Sequence, residues 1–225
     1  MSIRGSAVFA RPYRAFLFDM DGTLLNSIAA AERVWSIWAE RHGLDVAAFL
    51  KTIHGARAID TIRRQALPGV DPEAEAQWIT EAELNDVEGV VAIPGAVAFL
   101  NSLPGDQWAL VTSAPRELAL RRLQAAGIAP PAVLVTAEDV AVGKPDPACY
   151  VLGAQRLGVA VQDCLVFEDA TVGIRAGEAA GADVMVVTAT HLKPMLTEHP
   201  LVDGYERLRA QRAADGGLSL HNEAG

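Results

Sequence analysis

Cysteine, positive charge and long apolar runs are all scarce in this chain, and each shortage removes a class of answers. Only two cysteines, Cys149 and Cys164, occur in 225 residues. Both sit beside apolar neighbours and read as small core residues in a reducing compartment rather than as a disulfide framework. Lys plus Arg number 19 against 28 Asp plus Glu, a formal net charge of -9. That balance argues against a general nucleic-acid or membrane surface and leaves room for a local basic pocket that takes an anion. No stretch approaches the ~18–20 apolar residues of a membrane-spanning helix. Arg4, Arg11 and Arg14 interrupt any apolar leader, so no signal peptide is expected and the expected address is cytoplasmic. There is no internal repeat and no low-complexity tract. With 51% hydrophobic and 21% charged residues, the chain can bury the core of one large domain, or of a domain carrying a sizeable insert.

Two textures alternate along it. From Ile93 onward, apolar runs and amphipathic segments trade places. Strands are expected at 108–112, 132–135, 164–167 and 184–187, with helices at 117–126, 147–157 and 172–180. Pro115 opens the first helix, and Gly127, Gly158 and Gly181 close the three. Strand–helix–strand units of this length predict a doubly wound parallel sheet with right-handed crossovers. Residues 27–92 read differently. Ser27 is placed to cap a long helix whose apolar face carries Ile28, Ala31, Val34, Trp35, Trp38 and Ala39. Shorter helical patterns follow at 46–50, 58–66 and 72–87, with no convincing strand. The reading is an α/β core made of 1–26 and 93–225, interrupted by an α-helical cap at 27–92. In the tail, 205–208 has the pattern of a helical turn, and Asp215-Gly216-Gly217 suits either a terminal hairpin or a frayed end.

The chemistry gathers at strand ends. Ala15-Phe16-Leu17-Phe18 is a strand buried on both faces, followed at once by Asp19 and Asp21, two residues apart, then Gly22. Carboxylates at the C-terminal end of a central parallel strand lie where open α/β sheets bind ligands. Two acids so close repel unless a cation or a shared proton relieves them. Thr112-Ser113 ends the next long strand and leads into a helix, where hydroxyls and free amides suit an anion. Gly143-Lys144-Pro145-Asp146-Pro147 fixes a lysine in a stiff loop. Phe167-Glu168-Asp169 ends a further buried strand in another acidic pair. Singly, these have plainer explanations: turn formers, an N-capping serine, a solvated lysine, helpful acids at a helix start. Together they describe a Mg²⁺ site beside a phosphate site, in which a carboxylate nucleophile takes a phosphoryl group.

These residues resemble the haloacid dehalogenase superfamily, in its phosphatase branch with a small helical cap, over essentially residues 15–190. The four motifs occur in order as FDMDGTL, VTS, GKPDP and FEDA, the last followed by TVGIRAGEAAG. Ala31-Glu32-Arg33-Val34-Trp35, Ile53-His54-Gly55 and the run VTAEDVAVGKPDP are similar to the bacterial sugar phosphatases and the related glycerol phosphatases. The resemblance implies roles. Asp19 is the nucleophile and a metal ligand. Asp21 is general acid and then general base, with its backbone carbonyl on the metal. Ser113 and the Ala114 amide hold a phosphoryl oxygen, and Lys144 neutralises charge. Asp169 completes the Mg²⁺ site, with Glu168 behind it.

The presence of Asp21 argues against halide chemistry, and a cap whose only lysine is Lys51 argues against the phosphonate-cleaving relatives. Asn26 stands where the commonest relatives carry Asp, and Ala114-Pro115 where sugar phosphatases usually carry Gly. Substrate choice is expected to rest on cap residues His54, Gly55, Arg57 and Glu32, whereas Trp35 and Trp38 are expected in the core. The expected activity is hydrolysis of small sugar or polyol monophosphates by a monomer or small homo-oligomer, with neither nucleic acid nor membrane as partner. A phosphomutase resembling β-phosphoglucomutase, or a non-catalytic relative that kept the fold, are the alternatives.

Overall fold

A computed structural model describes residues 8–223; Arg4 lies outside them. Strand β1 (Ala15–Phe18) is buried at every position and takes the centre of a six-stranded parallel sheet of order β5-β4-β1-β6-β7-β8. Its neighbours are β4 (Trp108–Val111) and β6 (Cys164–Glu168). Beyond them lie β5 (Val133–Val135) on one side, and β7 (Asp183–Val187) and β8 (Leu201–Val202) on the other. The chain winds from β1 outward to β5, then crosses back to lay β6 on β1's other flank. That reversal opens a crevice at the carboxyl ends of the central strands.

Strand alternation divides the interior into two layers. Phe16 and Phe18 point to one face, where they meet Phe167, Phe99, Trp108 and Tyr205; the Phe18 and Phe167 rings stack at 4.6 Å. Ala15 and Leu17 point to the other, against Val111, Val166, Tyr150 and Ile174. Both cysteines are buried and free, as expected. Among the described residues, no helix is long and apolar enough to cross a membrane.

Four helices follow β1: α1 (Ile28–Arg41), α2 (Val46–Leu50), α3 (Ala58–Gln65) and α4 (Pro72–Asn85). They enclose an apolar cluster of their own, built on Trp35, Trp38, Phe49, Ile62 and Ile79. Trp35 and Trp38 are therefore packing residues. Two details differ from the sequence reading. Val91–Ala92 is a short strand, β3, paired antiparallel with β2 (Leu25–Asn26), so both chain limbs entering and leaving the helical unit run through one ribbon. Ser27 does not cap α1 with its side chain; Asn26 Oδ1 accepts the Ile28 amide at 3.1 Å instead. Asn and Asp reach their own backbone two residues on, which leaves the serine hydroxyl for another partner.

After the ribbon, α5 (Ala96–Ser102) and α6 (Arg116–Ala125) cover the aromatic face, while α7 (Ala148–Arg156) and α8 (Thr171–Ala180) cover the other. Residues 205–208 form a hydrogen-bonded turn rather than a helix. The tail is a hairpin of β9 (Leu208–Arg212) and β10 (Leu218–Asn222) around Asp215-Gly216-Gly217. Leu208, Leu218 and Leu220 join the aromatic layer, and Tyr205 donates its hydroxyl to the Thr23 carbonyl at 3.1 Å. Replacing Phe18 with Ala removes the ring at the centre of this layer. The expected cost is about 3–5 kcal/mol, read as a lower denaturation midpoint in urea; a change below 1 kcal/mol would show that the layer does not hold the fold.

Candidate active site

Asp19 leaves the sheet directly after β1, its amide still donating to the Phe167 carbonyl of β6 at 3.0 Å. The backbone is thereby fixed at the middle of the sheet's carboxyl edge. Gly22 turns the chain with a φ of +89°, and a Cβ there would overlap the Asp169 carboxylate; the turn requires glycine for both reasons. β6 ends in Glu168, with Asp169 just beyond.

Lys144 binds these pieces together. Its ammonium, buried, donates to Asp19 Oδ1 at 2.6 Å, Glu168 Oε1 at 2.8 Å and the Val111 carbonyl at 3.2 Å. Each of its three hydrogens thus has an acceptor. Glu168 is fully engaged as well. Its Oε1 also accepts the Tyr150 hydroxyl at 3.1 Å, and its Oε2 accepts the amides of Asp169 and Ala170 at 2.8 and 2.9 Å. A carboxylate so committed holds the lysine and the following loop and has little lone-pair capacity for anything else. Asp169 Oδ1 accepts the Thr23 hydroxyl at 3.2 Å.

One carboxylate oxygen each from Asp19, Glu168 and Asp169 lies within 4.8 Å of the others. Three buried acids face one ammonium. Burial pushes the Asp19 carboxyl up, against the pull of Lys144 and with Glu168 adding to the rise. Burial likewise raises Asp169, followed by repulsion from Glu168 and Asp19. Lys144 loses some proton affinity to burial, but Asp19 and Glu168 more than offset that, and its pKa ends well above the ordinary value. Ionising all three acids here is costly without a further cation, and the all-oxygen donor set would suit a hard divalent ion such as Mg²⁺.

Asp21 faces elsewhere. Ser27 donates to its Oδ1 at 2.6 Å and Arg122 Nη1 donates to the same oxygen at 3.1 Å. Arg122 Nη2 lies 3.1 Å from Glu83 Oε1, a buried ion pair. Arg122 and Glu83 escaped the sequence reading. Each breaks an otherwise apolar helix face, Arg122 beside Leu118, Ala119 and Leu123, and Glu83 one turn after Ile79. A lone charge on a buried stripe is the signal that would have found them.

At the end of β4, the Ala114 amide is held by Thr112 Oγ1 at 3.1 Å, and Ser113 Oγ donates to the Gly55 carbonyl at 2.9 Å. Gly55 joins the helical unit to the core: its φ is +77°, and an added Cβ would lie 2.6 Å from Ala170 Cβ and 2.8 Å from Val172 Cγ2. His54 Nε2 stands 3.8 Å from Glu32 Oε1, both half-exposed. Burial lowers the His54 pKa, opposed by the charges of Glu32 and Asp21. Arg57 is committed differently. It pairs with Asp60 at 2.7 and 3.2 Å and donates to the carbonyls of Val140 and Ala141 at 3.1 and 3.2 Å, which latches it to the loop that carries Lys144.

Acids and hydroxyls at the ends of the central strands, with a lysine from the loop after β5, gather at the carboxyl edge of an α/β sheet, an arrangement suited to phosphoryl transfer. The haloacid dehalogenase-like hydrolase family matches residues 13–181, and the chain belongs to that family. It is 46% identical over 193 residues to hexitol phosphatase A of Escherichia coli, covering 84% of this chain and 89% of that protein. It is 32% identical over 209 residues to glycerol-1-phosphate phosphohydrolase 2 of Saccharomyces cerevisiae, covering 87% and 84%. The fold is similar to that of β-phosphoglucomutase from Clostridium difficile, with a TM-score of 0.73 at 21% identity over 88% of this chain and 93% of that one.

The packing behind Glu168 supplies a direct test of this geometry. A Cβ at Gly173 would overlap Glu168 Oε1. Gly173→Ala therefore displaces the carboxylate that holds Lys144, even though alanine favours the helix. Hydrolytic activity at a temperature where the variant is folded is expected to fall on the order of 10²-fold, and the melting temperature to drop as well, because the displaced carboxylate leaves buried partners unsatisfied. Wild-type activity in this variant would mean that Glu168 does not set the position of Lys144.

Proposed function

We propose that the chain is a Mg²⁺-dependent phosphoric monoester hydrolase acting on small sugar or polyol monophosphates, with Asp19 as nucleophile. The observation that carries this reading is the buried Asp19–Lys144–Glu168 contact beside Asp169, at the carboxyl edge of the sheet. It is supported by the relatives' activities, a hexitol phosphatase and a glycerol-1-phosphate phosphohydrolase among them. Residues 27–92 are read as a cap domain closing over that edge, and the expected address is the cytoplasm.

Asp19 and Asp169, with the Asp21 carbonyl, would hold Mg²⁺; when bound, the ion supplies positive charge against the phosphoryl oxygens. With one Asp19 oxygen held by Lys144, the other is left to attack phosphorus. The Asp19 O–P bond forms as the P–O bond to the alcohol breaks. Asp21 gives its proton to the departing alkoxide, a contribution of ~10²–10⁴-fold. It then takes a proton from water, whose oxygen attacks phosphorus; the Asp19–phosphate bond breaks and inorganic phosphate leaves. Lys144 offsets the charge gathered on Asp19 and phosphate. For Ser113 and Ala114 to bind a phosphoryl oxygen, their present bonds to Gly55 and Thr112 give way to the substrate.

His54 and Glu32 are the cap groups placed to meet hydroxyls of the leaving group. Arg57 is better read as a latch between cap and core. A mutase would have to hold a second phosphoryl group during turnover. The cap carries six Lys and Arg against eleven Asp and Glu, and Arg33, Arg41, Arg57 and Arg63 each pair with an acid. That favours release to water from a neutral, hydroxyl-rich alcohol.

The test is phosphate release from hexose, pentose, polyol and nucleotide monophosphates, with and without Mg²⁺. Release from one or a few sugar or polyol phosphates, lost on chelation and in Asp19→Asn, is the expected result. Near-wild-type turnover by Asp19→Asn would remove Asp19 as nucleophile, and metal-independent turnover would remove the ion.

A further inference from the structure

Arg122 is a costly residue to place where it stands. Its side chain is 6% exposed and that of Glu83 is 8%, and burying a guanidinium and a carboxylate carries a desolvation penalty of several kcal/mol each. A pair needed only for packing is replaceable by apolar residues with little loss, and the rest of this face of α6, Leu118, Ala119 and Leu123, is apolar. The guanidinium is instead aimed at Asp21, and its planar fork lets one nitrogen face Asp21 while the other faces Glu83.

The contact has a particular form. Arg122 and Ser27 converge on the same oxygen of Asp21, Oδ1, at 3.1 and 2.6 Å. Asp21 sits in a loop with its side chain 29% exposed, so little else limits its rotation. Two donors on one oxygen fix the carboxylate plane and leave Oδ2 for the reacting atoms. Glu83 in turn fixes the guanidinium. It lies on α4, which ends at Asn85, shortly before the ribbon strand Val91–Ala92, whereas Ser27 directly follows the other ribbon strand. Burial pushes the Glu83 carboxyl up and Arg122 opposes it, as expected for a carboxylate whose principal compensation is this one guanidinium.

We infer that Arg122, held by Glu83, is a positioning residue for Asp21: the pair presents one oxygen of the acid–base carboxylate to the leaving group. The inference rests on the reading of Asp21 as the group that protonates the departing alcohol.

The experiment compares kcat/KM for two substrates. Sorbitol 6-phosphate has an alkoxide leaving group that needs a proton; p-nitrophenyl phosphate releases a stable phenolate that does not. Because kcat/KM covers only the steps through departure of the alcohol, it isolates the first proton transfer. Asp21→Asn is measured first, and a loss confined largely to sorbitol 6-phosphate upholds the role of Asp21; equal loss on both substrates removes that role and the inference with it.

With the Asp21 result in hand, Arg122→Met is expected to lower kcat/KM for sorbitol 6-phosphate roughly 10- to 100-fold, with a change of at most about 3-fold for p-nitrophenyl phosphate. Arg122→Lys, which brings charge but reaches one carboxylate at a time, is expected to fall between. Loss of equal size on both substrates, or none on either, overturns the positioning role while leaving Asp21's intact. Should Arg122→Met fail to fold, Glu83→Gln carries the same comparison, since it keeps the side chain's size and polarity. A loss selective for sorbitol 6-phosphate supports the inference, and an unselective loss or none overturns it.

Discussion

The contact between Lys144 and the carboxylates of Asp19 and Glu168 is the constraint around which this molecule is arranged. Three acids and an ammonium are withdrawn from water at the edge of a sheet, where unpaired charge is expensive. Their neighbours follow from that. Tyr150 and the amides after β6 saturate Glu168. Gly22 and Gly173 give up their side chains to make room for Asp169 and Glu168. The strands that carry the acids are buried on both faces. Once these acids are ionised, the negative charge left over is what a divalent cation would offset, and the same cation with Lys144 would meet the charge of an incoming phosphate.

The helical unit completes the site at its open side. It touches the core through the Gly55 backbone, the Arg57 latch on the loop before Lys144, and Glu83 beside Arg122. Each contact ends on a group adjoining the proposed chemistry: Ser113, the lysine loop, and the arginine on Asp21. Docking of the helical unit and alignment of the proposed reacting groups would thus be one set of interactions, in keeping with a site that excludes water while an alkoxide is protonated.

Much of this was legible in the sequence, because buried parallel strands are continuous apolar runs and the residues ending them stand out as polar. Asp19, Glu168 and Asp169 fall at such ends and Lys144 in the loop between β5 and α7, and the structure brings them together. The helical unit was legible from its 3.6-residue periodicity. Less visible were features that depend on tertiary pairing. The two-residue strand Val91–Ala92 exists only because Leu25–Asn26 lies beside it, and β8 is too short to carry a period. Ser27 read as a cap from its local position, yet its hydroxyl serves Asp21 while Asn26 does the capping. Arg57 read as a substrate group because its guanidinium could reach a hydroxyl or phosphate oxygen; the partners it has in this structure, Asp60 and two carbonyls about eighty residues away, lie beyond local pattern. Arg122 and Glu83 each left a local trace, a lone charge on an apolar helix face, but their pairing with each other and with Asp21 lay beyond local pattern.

The central claim is that Asp19 forms a bond to phosphorus, and it is tested most directly by acid-quenching the enzyme within its first turnover of whichever sugar or polyol monophosphate it hydrolyses, ³²P-labelled, in the presence of Mg²⁺. An acyl-phosphate carrying the label on the peptide that contains Asp19, and absent from Asp19→Asn, is the predicted result. Release of labelled phosphate with no protein-bound label at any quench time, or label on another residue, would contradict the account.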